Sequence, residues 1–471
     1  MYNIGDLTFS QKEQRMKIII VGCGKIGKTI LASLVREKHD VLAIDINPAV
    51  VSEITNAYDV MGICGNGTEY EKLKEAGAAK ADLFIAATSS DELNMLSCFA
   101  AKRMGAKYTV ARIRNTGNND NVSLDFMKNQ LELSMSINPE MLTARAIYNV
   151  IKLPSAAKVE EFSSHRFEMI ELILREDSPL DGVSLIELRR QSRENFLICT
   201  VRRGDEVYIP QGNFRLKSGD RVGVIISGRD TQKVLKTLGI AHKQIRNALI
   251  MGAGNVSYYL ARMLLDNHIE VKIIEKDPDK CAEFLEQVPG VTVICGNGMD
   301  QDLLREEGLS SADAFVALTG HDEENILISF YAMSQKTNKV ITKINAEELS
   351  AIAEKLGLES IVSPKKLIAD TLVRYARALR NSEGSKVETL YSLMNGDVEA
   401  LEFNVLQDFE YLNIPLKDIN FRKDVLLAGI VRGRVSIIPS GADVIKAGDK
   451  AIVIAAGERI YDLADIVSKD R

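Results

Sequence analysis

Lys17-Ile18-Ile19-Ile20-Val21-Gly22-Cys23-Gly24-Lys25-Ile26-Gly27 decides the fold of this chain, and Asn247-Ala248-Leu249-Ile250-Met251-Gly252-Ala253-Gly254-Asn255-Val256-Ser257 nearly repeats it. An apolar strand runs into a glycine turn that opens a helix. In the first copy the helix is expected over roughly Ile26 to Lys38. Each copy then reaches an acidic residue closing a second apolar strand, Asp45 in VLAID and Glu275 in VKIIE. This is the dinucleotide-binding βαβ pattern, carried twice.

The glycines have separate tasks. Gly22 makes the tight turn, Gly24 lets backbone approach a pyrophosphate, and Gly27 lets the helix lie close on the strand. The helix directs free N–H groups and its positive end at phosphate. Asp45 stands where a carboxylate accepts from ribose hydroxyls, and it repels a 2′-phosphate, which favours NAD(H) or an adenine nucleotide over NADP. In the second copy Ser257 replaces the third glycine, altering helix–strand packing, and Glu275 has a longer reach than Asp45.

The repeat extends beyond the glycines at a shift of about 230 residues, which marks a duplicated domain pair and not a solenoid. Asp45-Ile46-Asn47-Pro48 matches Glu275-Lys276-Asp277-Pro278, and Ile63-Cys64-Gly65-Asn66-Gly67 matches Ile294-Cys295-Gly296-Asn297-Gly298. Asp82 to Thr88 matches Asp313 to Thr319, Asp91 and Asn94 match Asp322 and Asn325, and Arg112 matches Lys343. These positions fall at strand ends, where open α/β sheets bind ligands. Asn66 is placed at an adenine edge, Thr88 and Ser89 near phosphate, and Arg112 as a charged partner for phosphate. Thr68 with Glu71, and Ser89 with Glu92, read as capping boxes. Cys64 and Cys295 read as small buried strand residues.

A formal net charge of −6 over 471 residues argues against general nucleic-acid binding. No apolar run approaches the length of a membrane span, so no direct membrane insertion is expected. Residues 1–15 lack a signal peptide's apolar core, and Met16 reads as a natural start. The six cysteines (Cys23, Cys64, Cys98, Cys199, Cys281, Cys295) form no CxxC pair, and a reduced cytosolic protein without a metal site is expected.

The organisation reads as follows: a first Rossmann domain over 16–136, a crossover helix over 137–157, and a small α/β domain over 158–240. A second Rossmann domain covers 246–361, a second crossover helix 362–386, and a second small domain 387–471. Ile137, Met141, Ala144, Ile147 and Ile151 share one helical face, which is read as facing a second chain. Gly219-Asp220 and Gly448-Asp449 read as turns. The fold class is α/β, two tandem parallel-sheet domains each followed by a small α/β domain.

With GCGKIG, Asp45, CGNGTE, ATSSDELN and ARIRN in this order, the chain resembles the TrkA family of RCK-domain proteins, regulators of potassium conductance, over residues 16–471. The resemblance implies a cytosolic subunit, peripheral at the inner face of the membrane. It also implies a homotetrameric ring on a membrane potassium channel subunit of the TrkH, TrkG or KtrB type. In such a ring NAD, NADH, ATP or ADP binding gates potassium uptake. Family binding positions carry over onto Gly22, Gly24, Lys25, Ile26 and Gly27 at phosphate, Asp45 at ribose, and Thr88, Ser89 and Arg112. In the second half they fall on Gly252, Ala253, Gly254, Asn255, Val256, Glu275, Thr319 and Lys343, with Asn297 matching Asn66. Ser257 and Lys343 depart from the first-half pattern, which leaves open the nucleotide each half takes. A dehydrogenase is the alternative, but no His–Asp or Lys–Asp constellation for hydride transfer is found, and His165 reads as a surface residue.

Overall fold

The computed structural model describes residues 15–114, 127–153, 156–162, 166–176, 178–192, 194–227, 231–238, 245–382, 387–394, 397–457, 460 and 462–468. Residues 1–14 and His165 lie outside them. The chain divides into two compact units, one ending at Asn138 and one beginning at Pro139.

The first unit is a parallel sheet of β1 (Lys17–Val21), β2 (Asp40–Asp45), β3 (Met61–Cys64), β4 (Leu83–Ala86), β5 (Tyr108–Arg112) and β6 (Met135–Ile137). The order is β3-β2-β1-β4-β5-β6, so the chain changes direction across the sheet between β1 and β4. A parallel sheet is covered on both faces, which is why its strands read as continuous apolar runs. Ile18 to Val21 are all buried. Ile19, Val21, Ile44 and Phe84 share one core with Cys98 and Ala101 of the helix Asp91–Met104. The glycine loop opens the helix Lys25–Arg36, which buries Gly27, Ile30, Leu31 and Leu34.

In the second unit, β7 (Ala156–Phe162), β8 (Phe167–Ile173), β9 (Phe196–Arg203), β10 (Glu206–Tyr208) and β11 (Arg221–Ser227) form an antiparallel sheet ordered β10-β9-β11-β8-β7. A second parallel sheet follows, of β12 (Asn247–Met251), β13 (Glu270–Glu275), β14 (Thr292–Cys295), β15 (Ala314–Ala317), β16 (Lys339–Lys343) and β17 (Ile361–Val362). Its order reproduces that of the first. A second antiparallel sheet closes the chain: β18 (Val387–Leu393), β19 (Val398–Asn404), β20 (Val425–Arg432), β21 (Val435–Ile437) and β22 (Lys450–Ala456).

The two antiparallel sheets share a core. Phe167, Met169, Cys199 and Ile225 pack with Leu393, Val398, Ala400, Ile452 and Ile454. Buried Glu171 reinforces the contact, its Oε1 accepting from the Met394 N–H at 3.1 Å. Gly219-Asp220 and Gly448-Asp449 do more than turn the chain. Buried Asp220 holds Arg203 through two hydrogen bonds of 2.7 Å, and Asp449 holds Arg432 at 2.9 and 2.7 Å, closing each hairpin with a two-pronged ion pair.

The helix Pro139–Lys152 packs apolar residues of its face within the same chain: Ala144, Ile147, Val150 and Ile151 meet Leu260, Ala261 and Leu264 of the helix Asn255–Asp266. Small residues at Ala144 and Ala261 allow the close approach. The first crossover helix is thereby part of the core of the second parallel-sheet domain.

Candidate functional site

The switch between β1 and β4 leaves a crevice at the strand ends, where the sequence places the candidate residues. It is a cleft of about 520 Å³ lined by Gly22, Gly24, Lys25, Ile26, Asp45, Asn66, Thr88, Ser89 and Arg112. Gly27 lies beneath, at the helix–strand contact.

The loop needs its glycines for distinct steric reasons. Gly22 has φ +85°, and a Cβ there would lie 2.7 Å from Thr88. A Cβ on Gly27 would lie 2.0 Å from the Gly22 carbonyl oxygen. Gly24 meets nothing within 4 Å, so the side of the loop facing the cleft is open to a ligand.

Asp45 holds the loop. Its Oδ2 accepts from the Cys23 N–H at 2.7 Å and its Oδ1 from the Asn47 N–H at 2.9 Å. A carboxylate has about four acceptor sites, so two remain for sugar hydroxyls. Glu275 does the same in the second half, accepting from Ala253 N–H at 2.9 Å and Asp277 N–H at 3.1 Å. The additional methylene of Glu275 goes into reaching the same two amides.

Thr88 is set by a residue whose role the sequence reading did not assign. Asn94 is fully buried, and its Oδ1 accepts from the Thr88 N–H at 2.8 Å and the Thr88 hydroxyl at 2.7 Å. Its amide donates to the Arg112 carbonyl at 2.9 Å, fastening the end of β4 to the end of β5. Asn325 does the same for Thr319, at 3.0 and 2.8 Å, and donates to the Lys343 carbonyl at 3.0 Å. The signal was present in the repeat, where Asn94 aligns with Asn325.

Arg112 donates from Nη1 to the Thr88 carbonyl at 3.4 Å, which places the guanidinium beside the cleft. Lys343 donates to the Leu318 carbonyl at 3.3 Å, and burial pushes its ammonium below the usual lysine range. Ile46, 74 % exposed beside Asp45, lines the cleft and was passed over because an exposed apolar residue carries no motif. Its counterpart is Lys276.

Three local expectations need correction. Ser90, not Ser89, caps the helix Asp91–Met104, accepting from the Leu93 N–H at 3.1 Å. The Thr88 hydroxyl takes the Ser90 N–H and turns the chain one residue later than expected. Ser89 remains at the cleft, its carbonyl accepting from Arg114. Thr68 and Glu71 form no capping box: Asn66 Oδ1 accepts from both the Thr68 N–H and hydroxyl, at 3.1 and 3.0 Å, and the helix Tyr70–Glu75 starts without a side-chain cap. In the second half Asn297 Oδ1 accepts from the Met299 N–H at 3.0 Å. Finally, Cys64 and Cys295 are exposed at the ends of β3 and β14 and are not buried strand residues.

Among the described residues, no group of three or more His, Cys, Asp or Glu side chains forms a metal site, and no helix is long and apolar enough to cross a membrane.

Residues 18–126 and 248–364 match the TrkA-N domain, and residues 169–239 and 401–468 match the TrkA-C domain. The chain is 30 % identical over 452 residues to the Trk system potassium uptake protein TrkA homolog of Archaeoglobus fulgidus, covering 96 % of this chain and all of that one. It is 28 % identical over 449 residues to the Trk system potassium uptake protein TrkA of Halomonas elongata, covering 94 % and 96 %. Two solved structures share the fold at 16 % identity, each covering 94 % of this chain and 77 % of the other. They are the GsuK channel (TM-score 0.63) and the GsuK channel bound to NAD (TM-score 0.62).

Proposed function

The chain belongs to the TrkA family, with TrkA-N and TrkA-C domains in tandem, and on that premise we propose that it is the nucleotide-sensing regulatory subunit of a potassium uptake system. The observation that carries this reading is the cleft over the first glycine loop: open above Gly24, with Asp45 holding two loop amides and keeping acceptor sites for a ribose. The residues present fit an adenine nucleotide. Gly22, Gly24, Lys25 and Ile26 would hold phosphate at the helix N-terminus, with Arg112, Thr88 and Ser89 on the far side. Asp45 would hold the ribose, and Ile46 with Asn66 would border the adenine. The second half offers the equivalent set, Gly252 to Val256, Glu275, Asn297, Thr319 and Lys343.

The partner in this reading is a membrane potassium channel subunit of the TrkH, TrkG or KtrB type, with four copies of the chain in a ring at the inner face of the membrane. A GsuK channel solved with NAD supports the choice of ligand class. To gate flux, the nucleotide must bind two ring shapes with different affinity, since tight binding alone shifts nothing. The chain's role is to bind and rearrange; no residue here is assigned to hydride transfer.

Co-reconstitution with a channel subunit of that type in vesicles tests the reading. Potassium flux is expected to change on adding NADH or ATP, and light scattering is expected to find particles of about four times the 52.0 kDa chain. Flux indifferent to every adenine nucleotide, or turnover of NADH with small-molecule substrates, would reject it.

A further inference from the structure

The second parallel-sheet domain carries a pair of thiols that the first lacks. Cys295 ends β14 and is paired in register with Glu275 on β13. Cys281 lies in the helix Pro278–Gln287, which packs over β14, and its Sγ donates to the Glu275 carbonyl at 3.3 Å. Both cysteines therefore converge on one residue: the Glu275 carbonyl that takes the Cys281 thiol also accepts from the N–H of Gly296, next to Cys295, at 2.8 Å. Cys295 is exposed, and Cys281 is 6 % exposed beneath it. In the first half Cys64 matches Cys295, but Val51 stands where the second half has Cys281.

We propose that Cys281 and Cys295 form a reversible disulfide that fastens the helix Pro278–Gln287 to the end of β14 when the chain meets a low-molecular-weight disulfide. The division of labour follows from exposure. The Cys295 thiolate attacks the small disulfide, its sulfur bonding to one sulfur while the other leaves as a thiol. The Cys281 sulfur, losing its proton to solvent, then attacks Cys295 and expels the second small thiol. Two protein thiols are oxidised to one disulfide, and one small disulfide is reduced to two thiols. Burial, the Cys295 sulfur and the charges of Glu275 and Asp277 push the Cys281 thiol up to about 11, so it resolves the bond and does not initiate it. The bond is read from the thiols alone and stands whether or not the second cleft takes a nucleotide.

The test treats the intact chain with glutathione disulfide, blocks remaining thiols and maps peptides without reduction. A peptide pair joined through Cys281 and Cys295, and separated by dithiothreitol, is the expected product. Oxidation should also slow amide exchange in the helix Pro278–Gln287 about tenfold. Cys281→Val, which installs the first-half residue, should instead leave glutathione attached at Cys295; Cys281→Ala serves if the larger side chain misfolds. Glutathione retained on Cys295 of the unaltered chain with Cys281 free would overturn the proposal, as would helix exchange unchanged by the bond.

Discussion

Gly27 and Ser257 stand at the same turn in the two parallel-sheet domains, and the loops around them differ in a way the shared pattern hides. In the first, a side chain at Gly27 has no room, and a Cβ on Gly22 would lie 2.7 Å from Thr88. In the second, Ser257 occupies the equivalent position and its hydroxyl donates to the Gly252 carbonyl at 2.5 Å. Gly252 has moved to φ +103°, and its missing Cβ would lie 3.1 Å from the Leu318 carbonyl oxygen. Meanwhile Asp45 and Glu275 hold equivalent amides, and Asn94 and Asn325 make equivalent clamps. Duplication has kept the anchors of the cradle and varied its floor and charges.

The shared clamp gives the largest expected effect. Asn94→Ala strands the Thr88 N–H and unfastens the Arg112 carbonyl, and should cost about 3 kcal/mol in denaturant titrations, with a similar loss for Asn325→Ala. A large cost in one half only would break the equivalence of the clamps.

Next comes a difference at the far end of the sheet. Lys339, buried at the start of β16 where the first half has Tyr108, is held at about 8 by burial; nearby Arg175 and Arg221 push the same way, and Glu359 opposes them. Between about 8 and 10.5 the unfolded chain binds more protons at this group than the folded one, so its contribution to stability rises with pH across that window. At neutral pH the penalty is fully present. Lys339→Met should therefore raise stability by up to about 3 kcal/mol at neutral pH, with the advantage shrinking as pH climbs. Thermal melts at several pH values check it; a pH-independent difference would count against a buried charge.

Exchanging the floor residues is smaller. Gly27→Ser drives a Cβ into backbone and should cost about 2 kcal/mol along with binding at the first cleft, whereas Ser257→Gly should cost about 1 kcal/mol. Equal costs would mean that the two loops are interchangeable.

The smallest effect lies in the cation. Arg112→Lys should weaken binding a few-fold and make it fall at alkaline pH, because a half-buried ammonium loses its proton where a guanidinium does not. Lys343→Arg should do the reverse, and calorimetry at neutral and alkaline pH reads both.

Much of this was legible in the residues. Strand, glycines, helix and distal acid each have one physical task, so their spacing determined the parallel sheets and placed the cleft. The repeat supplied the rest of the strand ends. What stayed hidden depended on contacts across the chain. The strand Ala156–Phe162 straddles the end of the stretch read as crossover helix over 137–157, and its pairing with β8 is what identifies it. Ser89 and Ser90 are equally good caps by type, and the Thr88 hydroxyl decides between them. The crossover face was apolar, as read, but sequence cannot say whose core it joins.

The most direct measurement is calorimetric titration of the intact chain with NADH and ADP before and after Asp45→Ala, with thermal melts without ligand as the control for folding. The first cleft should lose affinity by at least about tenfold, the worth of a charged hydrogen-bond acceptor at the ribose. An unchanged isotherm from a folded variant would contradict the account.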